Sequence, residues 1–372
     1  MHLSDLHLGK RVNEFSMLED QVYILDQIID MIDEHHIEGV MIAGDVYDKS
    51  VPSAEAVQLF DDFLVRLSAR NIKVFIISGN HDSPERIAFG GRLMNKSGIY
   101  MSPVYQGHVE PITIEDDFGP LNFYLLPFIK PAHVRRYFED DIQTYTQALD
   151  VAIKEMNIDT NQRNILLTHQ FVTGSSRSDS EELSVGGSDH VDIDVFLNFD
   201  YVALGHIHRP QRCGYDYIRY SGTPLKYSFS EANDKKSVPI ITIKEKGKID
   251  YDFIPLKPKH DMVELKGSYE QLTLKSFYEN TTYQEDYVHI TLTDEEDILD
   301  VLSKLRVIYH NLMKLDYDNQ RTRHQVELHQ INEEEHKSPL EHFSDFYEMM
   351  NGQSFQDEQL QYLQQIIEEI WR

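Results

Sequence analysis

A single cysteine, Cys213, is all the thiol the chain has, so no disulfide can close within it and an all-thiolate zinc centre is excluded. No apolar run approaches the roughly 20 residues that a bilayer-spanning helix needs. The opening stretch MHLSDLHLGK has no apolar core of a secretory signal, and together with the scarcity of cysteine it leads us to expect a cytoplasmic protein. Basic residues are in deficit: 35 Lys and Arg against 63 Asp and Glu leave a formal charge of −28. A surface that acidic repels nucleic acid and membrane phosphates at long range. Any polyanionic substrate must therefore be held locally, by cations or a basic patch. Internal repeats and extended low-complexity segments are missing too.

What is present is ordinary core-forming material. A chain of 372 residues, 41% hydrophobic and 26% charged, has room for two domains. Val22, Leu25, Ile29 and Ile32 recur at helical spacing over 19–35. Val57, Phe60, Leu64 and Leu67 do the same over 53–70, behind Ser53 as N-cap. Between and after these helices lie the apolar runs GVMIAG and KVFIIS, an order that predicts parallel βαβ units. Ser83 and Pro84 mark a further helix start, while LNFYLLP, NILLT and DYVALG read as strands. From Arg219 to Leu256 we expect consecutive antiparallel strands, turning at Lys246-Gly247-Lys248.

The two prolines of PLKPKH divide residues 1–256 from a small α+β domain over 257–318, with strands MVELKG and YVHITLT and a helix at 295–306. Residues 319–337 are polar and read as a linker. The end of the chain, 338–372, has one apolar stripe of Phe343, Phe346, Tyr347 and Met350. A second stripe comprises Leu360, Leu363, Ile366, Ile367 and Ile370, and Asn351-Gly352 lies between them. That pattern predicts a helical hairpin.

The stretch VFIISGNHD runs from a buried strand straight into a glycine and metal-type residues, and it is not alone. Five strands or short runs end this way: Asp5 and His7 in SDLH, Asp45 in GDVYD, Asn80 and His81 in GNHD, His169 in LLTH, and His206 with His208 in GHIH. Parallel strands bring their carboxyl ends to one edge of a sheet, where ligands collect. With 18 histidines in the chain, only those in such a pattern carry weight. Carboxylate, imidazole and amide oxygen together suit divalent ions of intermediate hardness, and the number of groups suggests two of them. Two such ions against two carboxylates leave a surplus positive charge that attracts phosphate even in an acidic protein. Singly, Asp45 is also a natural turn residue, Asn80 a left-handed turn residue, and His169 a satisfied core histidine.

The order D-x-H, GD-x-x-D, GNHD, isolated His, GHxH resembles the calcineurin-like metallophosphoesterases. GDVYD, YSGTPLKYSFSEA, IPLKP and DFYEMMNGQSFQDEQLQYLQQIIEEI are similar, within that superfamily, to the SbcD-type nuclease subunits. The resemblance covers nearly the whole chain. It implies an α/β sandwich of mixed sheets flanked by helices, with a small α+β capping domain and a C-terminal hairpin. It also implies two divalent ions, Mn²⁺ or Mg²⁺. By the family's pattern Asp5, His7, Asp45 and His208 surround one, and Asp45, Asn80, His169 and His206 the other, with Asp45 bridging. Two departures stand out. Only Met1 to Ser4 precede Asp5, so the first strand is shortened or its start misassigned, and Leu6 stands where SbcD-type proteins often carry Trp.

On this reading the protein is a DNA nuclease, exonuclease on duplex and endonuclease on single strands or hairpins, in repair and recombination. Its partners would be DNA, an SbcC-like ATPase engaged by the terminal hairpin, and a second copy of itself. His81, not needed as a ligand, is expected to protonate or stabilise the leaving oxygen. Asp82 either orients His81 or stands as a helix-start residue, and Asp48 supports the Asp45 loop. Lys10, Arg11, Arg86, Arg92 and Arg209 follow the motifs and are candidates for a phosphate-backbone track, or solvated surface charges. Competing readings are a phosphatase or cyclic-nucleotide phosphodiesterase with the same site, and a non-catalytic metal-binding scaffold. Against the first speak the residues after 256, and against the second the complete ligand set.

Overall fold

The computed structural model describes residues 1–181 and 189–319, with isolated positions 322, 340, 343, 344, 347, 355, 356, 359, 360, 362 and 363. Most of the polar linker and of the expected hairpin, including Phe346, Met350, Ile366, Ile367, Ile370 and the Asn351-Gly352 turn, lies outside the described residues.

Two sheets face each other. The first is wholly parallel, in chain order: β1 (His2–Leu3), β2 (Gly39–Ala43), β3 (Lys73–Ile77) and β4 (Ile99–Met101). The second is mixed, in the order β9-β10-β8-β7-β6-β5, from β5 (Ile112–Asp116), β6 (Gly119–Leu125), β7 (Arg163–His169), β8 (Tyr201–Gly205), β9 (Gln211–Cys213) and β10 (Tyr215–Tyr220). Its central strands β6, β7, β8 and β10 run parallel, while β5 and β9 close it antiparallel.

Strand periodicity explains the continuous apolar runs. Successive side chains point to opposite faces, and a strand covered on both faces has no polar one. Met41, Phe75, Ile77, Phe123, Ile165, Leu167, Tyr201 and Ala203 fill the layer between the sheets, where the Phe75 and Phe123 rings stack at 3.8 Å. Val40, Ile42, Val74 and Ile76 point outward and pack with helices α1 (Leu18–Glu34) and α2 (Ala54–Ala69). Leu166, Val202 and Leu204 face the other way, under α3 (Tyr145–Lys154). Each fully buried side chain of this size is worth ~1.5–3 kcal/mol relative to exposure.

Ser53 caps α2 through the Ala56 amide at 3.2 Å. Val22 and Val57, expected in the inward stripes, are exposed. Ile24, Leu25, Ile28 and Ile29 set the buried arc of α1, and that arc leaves Val22 on its flank. Pro84 opens the short helix Pro84–Ile87, but the Ser83 hydroxyl donates to Glu85 and makes no cap.

The stretch 219–256 is not a run of consecutive strands. After β10 the chain leaves the sheet at Gly222, held at φ +74° against the His208 carbonyl, and wraps toward the strand ends. It then forms the hairpin β11 (Ser237–Ile243) and β12 (Ile249–Pro255), which turns where expected, Gly247 taking φ +78°. Three further strands, β13 (Met262–Gly267), β14 (Tyr287–Leu292) and β15 (Asn311–Tyr317), make a sheet in that order. The helix expected at 295–306 is confined to Val301–Arg306, because Asp300 takes a left-handed φ of 53°.

By packing, the chain divides into two compact units: Met1–Leu265 with Thr273–Ile290 and Asp300–Leu315, and Lys266–Leu272 with Thr291–Leu299 and Asp316–Arg372. Within the first, buried Asp20 of α1 accepts the Tyr287 hydroxyl at 2.7 Å and the His260 amide at 3.2 Å. These bonds tie segments beyond residue 256 to the helix.

Candidate metal centre

The carboxyl ends of β1, β2 and β3 in one sheet meet those of β7 and β8 in the other, so the expected single edge is a seam between two sheets. Three glycines make the seam possible. A Cβ on Gly205 would stand 1.8 Å from the Ala43 carbonyl of the facing sheet. One on Gly44 would lie 2.4 Å from His169 Nδ1, and one on Gly79 2.1 Å from an Asp45 carboxylate oxygen. Only a residue without a side chain fits at each. The glycines of GDVYD, GNHD and GHIH are therefore steric requirements. Asp5, His7, Asp45 and His206 themselves adopt positive φ, at 53°, 45°, 49° and 103°. Non-glycine residues in such regions are sparsely populated and concentrate at functional sites.

All seven sequence-predicted ligands converge here. His7 Nε2 lies 3.1 Å from His208 Nε2 and 3.7 Å from Asp45 Oδ2. His169 Nε2 is 3.3 Å from Asp45 Oδ2 and 4.0 Å from Asp5 Oδ1. Asn80 Oδ1 sits 2.9 Å from both His169 Nε2 and His206 Nδ1. Among the described residues, every cluster of three or more acidic, histidine or cysteine donors close enough to share a cation falls in this place: Asp5-His7-His208, His7-Asp48-His81 and Asp5-Asp45-His169.

Burial sets the electrostatics. Asp5 is pushed up to about 7 by burial, with Asp45 adding to the shift. Burial also drives His7 and His208 well below the usual histidine range and His206 down to about 3, so these rings are neutral and hold free lone pairs. Burial works against the charge on Asp45, but the facing His169 and His7 outweigh it and hold that carboxyl well below its ordinary value. For His169 the same burial is overcome by Asp45 and Asp5, which raise it to about 9. His7 Nδ1 is buried with no hydrogen-bond partner. Two buried carboxylates, an orphaned imidazole nitrogen and lone pairs aimed at one another are the groups a cation satisfies. The donor set therefore fits a pair of divalent ions.

The residues around the ligands have distinct places. His81 is half-buried, its ring edge-on to His7 at 4.9 Å, with Nδ1 3.0 Å from the Asp48 carbonyl and its amide on Asp45 Oδ1 at 2.9 Å. Asp82 bonds the backbone instead of the His81 ring. Its carboxylate accepts the amides of Val46, Tyr47 and Gly79 at 3.0–3.1 Å, clamping the Asp45 loop to the Asn80 loop. Asp48 lies 3.6 Å from His7 Nδ1 and pairs with Lys10 at 2.8 Å.

Of the other basic candidates, Arg209 is bound to Asp234 at 3.0 Å, Arg11 donates to the Glu14 carbonyl, and Arg86 donates to the Ser50 carbonyl. Arg92 is exposed. Sequence reasoning gave no role to Gln21, which accepts the Gly9 amide at 2.9 Å and donates to the His7 carbonyl at 2.8 Å. It also passed over Tyr227, whose hydroxyl donates to the Leu6 carbonyl at 2.6 Å. Gln21 lies inside a helical stripe of apolar residues, and a buried polar residue at such a position is the one signal that marks it.

A family profile described as calcineurin-like phosphoesterase matches residues 1–210, and one described as type 5 capsule protein repressor C-terminal domain matches 258–351. Two curated relatives are named as the SbcD subunit of the SbcCD nuclease. That of Staphylococcus epidermidis is 35% identical over 320 residues, spanning 85% of this chain and 84% of its own length. That of Staphylococcus saprophyticus subsp. saprophyticus is 35% identical over 373 residues, spanning 99% of this chain and 97% of its own.

Proposed function

The chain belongs to the calcineurin-like phosphoesterases and, within them, to the SbcD family of SbcCD nuclease subunits, and from that premise we propose a two-cation hydrolysis of DNA phosphodiesters carried out with an SbcC ATPase. The observation that carries the reading is the seam itself: two buried carboxylates, four imidazoles and an amide oxygen within reach of one another. Asp5, His7, Asp45 and His208 would hold one ion, and Asp45, Asn80, His169 and His206 the other. Mn²⁺ suits this nitrogen-and-oxygen set, and Mg²⁺ is the alternative. When bound, the ions supply Lewis-acid charge for the phosphoryl oxygens and lower the pKa of water.

The chain's own groups do the rest. Neutral His7, His206 and His208 need lose no proton to bind a cation. Asp82 fixes the distance between the Asp45 and Asn80 loops. His81 donates Nδ1–H to the Asp48 carbonyl, so a neutral ring has a bare Nε2 and the proton for the leaving oxygen is delivered from Nε2 of the doubly protonated ring. His81→Ala then retains both cations yet cleaves ~10²–10⁴-fold more slowly, whereas Asp45→Ala loses cation binding itself. Cation binding followed by calorimetry separates the two, and a His81→Ala protein without cations would refute the role given to His81.

The finer assignments follow the same logic. An acidic protein needs a local track for DNA, and exposed Arg11, Arg86 and Arg92 are its best-placed members. Phe89 and Leu93, 82% and 80% exposed just beyond the GNHD loop, are apolar groups suited to contact with a second copy of the chain in a homodimer. Residues 1–256 would form the nuclease domain, 257–318 the capping domain, and 338–372 the segment that engages the ATPase, all in the cytoplasm.

The deciding assay incubates metal-stripped protein with a DNA hairpin, a linear duplex and a chromogenic phosphodiester, restoring Mn²⁺ or Mg²⁺, with and without SbcC. DNA cleavage that depends on the restored ion, on duplex ends and on hairpins, is the expected result. Turnover of the small phosphodiester alone would move the reading to a small-molecule phosphodiesterase.

A further inference from the structure

Behind His208 lies a set of polar residues, half-buried Ser180 and buried Glu181, Glu231 and Lys236, that the chemistry above leaves unused. Ser180 Oγ is 2.5 Å from His208 Nδ1 and 2.6 Å from one carboxylate oxygen of Glu231. The other Glu231 oxygen meets Lys236 Nζ at 2.5 Å, an ion pair whose side chains are 0% and 4% exposed. Lys236 also donates to the His208 carbonyl at 2.8 Å, and Glu181 accepts the His208 amide at 2.7 Å. A buried ion pair is a poor source of stability, because desolvation offsets most of its attraction. Its position beside one imidazole calls for an explanation in terms of that ring.

Counting donors supplies one. Glu231, paired with an ammonium, is an acceptor only, and Ser180 has a single hydroxyl proton, which the contact with Glu231 takes. Ser180 can then only accept from His208, so Nδ1 carries the ring proton. A neutral imidazole protonated at Nδ1 has a bare Nε2, and here Nε2 faces the cluster with Asp5 and His7. We infer that Lys236, Glu231 and Ser180 form a hydrogen-bond relay of fixed polarity that locks His208 in the tautomer able to bind a divalent cation through Nε2. Ser180 and Glu231 are thereby positioning residues of the metal centre. The inference rests on the two-cation reading. Nothing in the GHIH motif announces the relay, whose members come from two other segments of the chain.

Partners of this kind change metal affinity about 10–100-fold when removed. The test uses the full chain and two readouts. Mn²⁺ is titrated into metal-stripped protein by calorimetry. Nitrogen-15 spectra of the histidines of metal-free protein report tautomers, with His208 assigned by its loss in His208→Gln. We expect the unaltered chain to bind two ions and to show His208 protonated at Nδ1. In Ser180→Ala one of the two ions binds roughly 10–100-fold more weakly, the His208 signals shift toward mixed tautomers, and the thermal midpoint of the metal-free protein stays close to the original. Ser180→Thr, which restores a hydroxyl, recovers both readouts. Should Ser180→Ala not fold, Glu231→Gln, similar in shape without the charge, is read in the same two ways. Unchanged affinities together with an unchanged His208 spectrum in these variants would overturn the relay. An unaltered chain that takes up no Mn²⁺ yet keeps His208 protonated at Nδ1 would sink the two-cation reading while upholding the relay's polarity.

Discussion

The layer between the two sheets is built differently at its two ends. At the carboxyl ends of the strands, glycines bring backbone and side chains of the two sheets within contact distance, and the Ala43 carbonyl stands where a Gly205 side chain would be. At the amino ends the same layer opens into a cavity of about 580 Å³, lined by Phe75, Leu121, Phe123, Ile165, Ile241 and Ile243 with charged residues around it. One end gathers seven polar side chains, each within 4.0 Å of another. The other is a hydrophobic contact that tolerates space. Strands β3 and β7 reach both ends, so the difference lies in which residues terminate the strands and what packs beside them. Position is enforced where chemistry depends on it, and elsewhere burial alone suffices.

The strongest way to break this contrast is Gly205→Ala. A methyl group 1.8 Å from a backbone carbonyl has no rotamer to escape into, so the sheets must separate at the seam. Overpacking typically costs about 1–3 kcal/mol, and this case belongs at or beyond the upper end. The loss falls on the ligands: His206, the next residue, donates its amide to Asp5 at 3.0 Å, so displacing it disturbs both sheets' contributions. We expect cation binding to fall below detection, measured by Mn²⁺ calorimetry, and cleavage to go with it. A variant that still bound two ions would show that the close approach is incidental.

The contrast also explains what could be read from the amino-acid string. Strand-end motifs were legible because each pairs an apolar run with chemistry-bearing residues, and the structure brings the seven predicted side chains together. That the strands belong to two sheets was legible only through the family resemblance, which implied a sandwich, and not in the strand pattern, since parallel runs of GVMIAG and DYVALG type look alike whichever sheet holds them. Val22 and Val57 fit a helical stripe yet face outward, because spacing gives an arc and tertiary contacts choose its centre. The strand Asn311–Tyr317 escaped notice because Lys314 and Asp316 interrupt its apolar residues. The role of Asp82 was hidden for another reason: its partners are backbone amides, which every residue has and no motif records.

Asp82→Ala is the intermediate case, since it leaves every ligand in place and removes only the clamp between the Asp45 and Asn80 loops. Three amides lose their acceptor. Leaving buried donors unsatisfied costs about 1–3 kcal/mol each unless water replaces the carboxylate. We expect the cations to bind roughly 10–100-fold more weakly, with His81 chemistry otherwise intact at saturating Mn²⁺. Full activity at saturation together with a raised Mn²⁺ requirement would identify Asp82 as a loop clamp. A rate that stayed low at any Mn²⁺ concentration would return it to the proton-transfer machinery.

The smallest effect, and the one that sharpens the comparison most, belongs to the open end. Ile243 is half-buried and lines the cavity, so Ile243→Phe adds volume where space exists and touches no ligand. Cavity filling of this kind commonly stabilises by about 0.5–2 kcal/mol. Thermal unfolding should move up by a few degrees at most for a unit of this size, with Mn²⁺ affinity and cleavage unchanged. Phe123→Ala supplies the opposite sign at the same place. It removes a stacked ring and should destabilise by about 3–5 kcal/mol while the folded fraction still binds two ions. If either substitution altered cation affinity, the two ends would be mechanically coupled through the side chains between them, and the seam would depend on the whole layer and not on its glycines alone.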